Sequence, residues 1–152
     1  MSLVHFENQV GRAGVPTRRS FSVWVEAALA VKKSRRDEVS IVLVDRRRAR
    51  AINAEFRGKD YATNVLSFPF EPMPGRPSRT LGDVIICPAV VTQEAREQNK
   101  PVRVHFAHLA VHGVLHLLGF DHADNASAAR MEAIERRVLA DFGIADPYVD
   151  RE

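Results

Sequence analysis

The chain carries a single cysteine, Cys87, so it can form no intrachain disulfide and cannot build a cysteine-rich structural zinc site. Cys87 closes the run Val84-Ile85-Ile86-Cys87-Pro88, which reads as the end of a buried strand and makes the thiol a small core residue. Aromatic residues are scarce at 7%, so the stacking platform expected of a protein that grips single-stranded nucleic acid is poorly represented in the composition. No stretch reaches the roughly 18 uninterrupted apolar residues of a membrane span, and no basic segment leads into an apolar one at the N-terminus. The expected location is cytoplasmic, with no membrane partner. Internal repeats and low-complexity tracts are also missing. What remains, 152 residues with 45% hydrophobic and 27% charged side chains, is the make-up of one ordinary globular domain spanning 1–152.

The net charge of +3 is unevenly spread. Residues 1–60 hold 13 Lys and Arg against 7 Asp and Glu, a net of +6, and the remainder holds 9 against 12, a net of −3. A basic first part fits a polyanionic partner, because clustered cations release counterions from phosphates, and it equally fits a solvated surface.

Pattern and turn chemistry give the element order β-α-β-α-β-β-α-α-α. Val4 to Val10 alternates like a strand before Gly11 and Pro16 break it. Phe21, Trp24, Val25, Ala28 and Leu29 keep helical spacing, and the run Lys32-Lys33-Ser34-Arg35-Arg36 is expected to close that helix at the negative end of its dipole. Val39 to Val44 is a short β-branched strand, followed by a helix capped by Asp45 with Ala49, Ile52 and Phe56 on one side. Strands are expected at 65–68 and 83–87, separated by a Pro-rich mobile loop at 71–80, and helices at 88–99, 101–118 and 125–142. The class is therefore α+β: a small, mostly parallel mixed sheet of about four strands covered by about five helices.

The helix at 101–118 carries the chemistry. His112 and His116, four residues apart, stack two imidazoles on one face, and Gly119 lets the chain turn so that His122 arrives beside them. This HxxxHxxGxxH skeleton is that of zinc metallohydrolases. Three histidines with an open position make a catalytic zinc site, whereas structural sites are closed by four ligands. His105 and His108 lie on the same stripe, and spacing alone also allows His108 with His112 as the pair. The position of the third histidine just past the helix end favours His112 with His116. His108 is left as a hydrogen-bonding or core group, and His105 and His5 as core or surface groups. Asp121 suits backbone bonding in a tight turn or the orienting of a ligand. Metalloproteases of this skeleton place Glu after the first histidine as general base; here that residue is Gly113, which argues against peptidase chemistry.

The histidine string, together with Arg57-Gly58-Lys59-Asp60, Thr63-Asn64-Val65-Leu66-Ser67-Phe68-Pro69 and Leu81-Gly82-Asp83, resembles the bacterial YbeY family, and the similarity runs from about residue 3 to Asp146-Pro147-Tyr148. The resemblance implies a single-strand-specific, metal-dependent endoribonuclease of ribosomal RNA maturation, notably the 3′ end of 16S rRNA, and of ribosome quality control. It places one zinc ion on His112, His116 and His122, and a functional arginine at Arg57, with ribosomal RNA and ribosomal particles as partners. Lys59 is a phosphate neighbour or a surface lysine. RNA cleavage can use the substrate's own 2′-hydroxyl or a metal-activated water, so Gly113 is no obstacle to it. Two other readings remain at this point: an assembly factor that binds ribosomal particles around a structural metal, and a hydrolase of peptides or small esters.

Overall fold

A computed structural model describes residues 3–148; the outer residues of the expected 1–152 domain lie outside the described residues. Four strands and five helices follow in the expected order: β1 (Leu3–Asn8), α1 (Arg18–Leu29), β2 (Glu38–Leu43), α2 (Arg46–Arg57), β3 (Val65–Pro69), β4 (Thr80–Ile86), α3 (Pro88–Glu97), α4 (Val102–Leu117) and α5 (Asn125–Ala140). The sheet order is β1-β2-β4-β3, with β1, β2 and β4 parallel and the edge strand β3 antiparallel to β4. A parallel β1-α1-β2 unit is what short strands linked through an amphipathic helix produce.

Each pleat sends alternate side chains to opposite faces, and the register sorts them. Phe6, Ile41, Val84 and Ser67 form one row across the sheet on the face that α4 covers. On the opposite face Val42 and Ile85 pack with Ala49 of α2 in a much smaller cluster. The main core lies between the sheet and α1, α4 and α5, where Phe21 stacks on Phe6 and meets Trp24 and Phe106 edge-on. Helix α4 is buried on nearly every side, which is why its sequence is apolar almost all round. The stripe His108, His112 and His116 is its half-buried side.

Local chemistry sets the ends. Thr17, Asp45 and Asp124 each accept a backbone N–H in the first turn of the helix they precede. Helix α4 begins at Val102, with Pro101 as its N-cap, and ends at Leu117, so it is shorter than expected. Helix α1 also ends early, at Leu29, before the basic run. Those cations therefore do not serve the dipole of α1. Lys32 instead donates to the Leu118 carbonyl at the end of α4 (3.3 Å), and Arg36 clamps the β3–β4 connection through the Thr80 and Phe70 carbonyls. Strand β4 starts at Thr80, ahead of the expected residue 83, because pairing with β2 resumes as soon as the Pro-rich segment ends. Cys87 is buried, as expected.

Candidate metal centre

Gly119 has φ 100°, the left-handed conformation that glycine adopts without cost. Its N–H bonds to the His116 carbonyl and the Phe120 N–H to the Leu115 carbonyl, both at 3.0 Å, the paired bonds of a Schellman helix end. This reversal carries His122 back over α4. The His112, His116 and His122 rings then lie with centroids 4.7, 5.0 and 5.8 Å apart, and one nitrogen of each falls within 4.8 Å of the other two. Asp121 accepts the Ala123 N–H at 3.2 Å, the turn-bonding role expected of it.

The three rings line an open cavity of about 440 Å³ together with Arg57, Asn64 and the β3 residues Val65, Ser67 and Pro69. Arg57 ends α2, and Gly58 in a left-handed conformation stops that helix beside the cavity. The end of helix α2, helix α4 and the turn that follows α4 therefore bring together all four site residues expected from the sequence. Lys59 is exposed and does not line the cavity. Gly113 is explained by packing: a Cβ there would lie 2.6 Å from Val84 Cγ1 and 3.2 Å from Ser67 Oγ, and its carbonyl accepts the Ser67 hydroxyl at 3.0 Å. The sheet occupies the space that a glutamate side chain at position 113 would need.

Behind the rings stands a residue that the sequence reading missed. Glu135 of α5 has no exposed surface. It accepts from His112 Nδ1 at 2.6 Å and from His108 Nε2 at 2.8 Å, and the Tyr148 hydroxyl donates to the same carboxylate. Burial pushes its pKa up, but the hydrogen bonds from the two histidines outweigh this and hold it at about 2. The carboxylate fixes His112 with its proton on Nδ1, which leaves Nε2 as the lone-pair donor facing the cavity. His108, half-buried with its pKa lowered first by burial, is thus part of the support. His108, His112 and Glu135 also converge closely enough to be a second donor set. That set shares His112 with the first, however, and both of its histidines are already bonded to Glu135. A signal for Glu135 did exist: it is a charged residue four positions after Met131 on the buried side of an amphipathic helix. His105 is a core group bonded to Glu94 at 2.9 Å, and exposed His5 pairs with Glu38 at 2.6 Å.

The donor set fits a borderline-soft divalent ion. It consists of three imidazoles, and His116 is kept neutral, the form that ligates, with a pKa near 4 caused first by burial and then by the charges of His112 and His122. One consequence is measurable. The unfolded chain takes a proton on His116 near the ordinary 6.5, the native chain only near 4, so the unfolded state binds more protons between those values. Stability of the metal-free protein is expected to fall as pH drops through that window. Below about 4.5 the stabilisation from Glu135 is lost in turn as pH falls towards 2. Urea midpoints in the presence of chelator should decline from neutral pH to about pH 5; a flat profile would contradict the arrangement.

A small α+β domain with three convergent histidines, a carboxylate behind one of them and an arginine across an open cavity belongs to the class of metal-dependent hydrolases. The sequence model of the endoribonuclease YbeY family matches residues 6–143. Proteins named endoribonuclease YbeY from Alkalilimnicola ehrlichii (53% identical over 140 residues, 90% of this chain and 84% of the relative) and Chromohalobacter salexigens (50% over 137 residues, 90% and 89%) are similar throughout. The chain belongs to the YbeY family. A Thermotoga maritima protein solved in solution shares the fold, with a TM-score of 0.58, 22% identity, and coverage of 93% of this chain and 92% of that one. No helix among the described residues is long and apolar enough to cross a membrane.

Proposed function

We propose that this protein is a cytoplasmic, zinc-dependent endoribonuclease that cuts single-stranded RNA, with His112, His116 and His122 as ligands and Arg57 as the phosphate-binding catalytic residue. Its substrates on this reading are ribosomal RNA, notably the 3′ end of 16S rRNA, and ribosomal particles under quality control. The observation that carries the reading is Arg57 lining the same open cavity as the three histidines. A bound ion supplies Lewis-acid polarisation and a lowered water pKa. The chain supplies position and charge. Arg57 grips non-bridging phosphate oxygens with its planar fork and stabilises the charge that builds on phosphorus during cleavage. Glu135 holds His112 in one tautomer through the reaction. Among the described residues no carboxylate lines the cavity, and Gly113 offers no general base.

The open cavity counts against a purely structural metal, and Gly113 against peptide hydrolysis. Arg57→Ala is expected to slow RNA cleavage by roughly 10²–10³-fold while zinc content stays unchanged, and Arg57→Lys to recover only part of the loss. Cleavage of a peptide panel with none of RNA would overturn the proposal.

A further inference from the structure

Among the described residues seven large hydrophobic side chains are well exposed, and the three aromatic ones fall between residues 56 and 70: Phe56 at 62%, Tyr61 at 53% and Phe70 at 43%. Phe56 meets the half-buried Phe68 with ring centroids 5.3 Å apart at 66°. Leaving such rings in water forfeits the burial that stabilises the rest of the fold. Their place is specific. Arg57, the residue after Phe56, and Ser67 and Pro69, which flank Phe68, all line the histidine cavity. Side chains alternate along a strand, so the ring of Phe68 lies across the edge strand β3 from that cavity.

We propose that Phe56 and Phe68 form a stacking subsite for an unpaired base of an RNA strand whose phosphate sits at Arg57. This rests on the nuclease reading above and extends it to how the substrate is chosen. An aromatic face takes any base, because every base has a π-face, and gives no sequence preference. Bases inside a duplex are already stacked and cannot reach it, so the subsite selects single strands. The electrostatics divide the strand in the same way. Asp83, exposed, is the register partner of Phe68 and disfavours a phosphate there, while Arg57 attracts one on the cavity side. Asp60 is neutralised by a two-pronged bond from Arg50, at 2.7 and 3.0 Å. Most aromatics of this chain serve the core, and Phe56 and Phe68 meet beside the residues that line the cavity.

The test uses the full chain. With chelator present to stop cleavage, binding of a single-stranded RNA oligonucleotide to Phe56→Ala is expected to be weaker by roughly tenfold to a hundredfold, with zinc uptake and thermal midpoint as in the parent protein. Phe56→Trp should restore binding, and RNA should quench the added indole emission, which is separable from that of buried Trp24. Wild-type affinity in Phe56→Ala, or indole emission unchanged at saturating RNA, would overturn the subsite. So would loss of a protein partner by Phe56→Ala with RNA binding intact, which would make the patch a protein surface. If the wild type binds RNA through Phe56 but shows no cleavage whichever divalent metal is added, the nuclease reading fails and the subsite stands.

Discussion

Replacing His116 with alanine is expected to end RNA cleavage, lowering the rate by about 10³-fold or more, because Lewis-acid stabilisation worth several kcal/mol is lost with the ion. His116 sits centrally, its ring 4.7 Å from His112 and 5.0 Å from His122, and two histidines hold zinc far less firmly than three. The metal-free variant should fold normally. It removes a half-buried histidine whose neutrality is enforced by burial, so the decline in stability between pH 6.5 and 4 should flatten. That second readout separates loss of a ligand from general damage: a variant that loses activity and also unfolds at neutral pH would point to a structural role for His116.

The next largest effect is expected at a residue that touches neither substrate nor ion. Glu135→Gln replaces an acceptor of three donors with an amide whose NH₂ must face one of them. His112 is then free to change tautomer, and zinc affinity should fall by about 10–100-fold. The buried mismatch should also cost about 1–3 kcal/mol of stability, read as a lower thermal midpoint of the chelated protein. Excess zinc should restore much of the cleavage in Glu135→Gln and none of it in His116→Ala. If zinc affinity proved unchanged, the bond between Glu135 and His112 would be packing alone.

The contrast between these two residues marks how far the sequence was legible. His116 was readable because spacing along one helix, plus a glycine at its end, is local information. The same holds for Asp45 as a cap and for the order of the nine elements among the described residues. Glu135 bonds to His112 across 23 residues, and no local pattern records which helix faces which. The basic run at 32–36 was assigned to the end of α1 by proximity in sequence. Lys32 in fact serves α4, 86 residues away. Gly113 was legible as an absence of chemistry, but its cause, Val84 pressed against the helix, appears only once the sheet is assembled. The place of the aromatics was not legible at all: composition averages over the chain, and Phe56 and Phe68 meet only in the fold.

The central claim, that His112, His116 and His122 hold a zinc ion that cleavage requires, is tested most directly by metal analysis of the native protein and its His112→Ala variant, each followed by an RNA cleavage assay before and after chelation. The predicted result is one zinc per chain in the native protein, cleavage that stops on chelation and returns on adding zinc, and no zinc in the variant. Full zinc retention in the variant, or undiminished cleavage after complete removal of metal, would contradict the account.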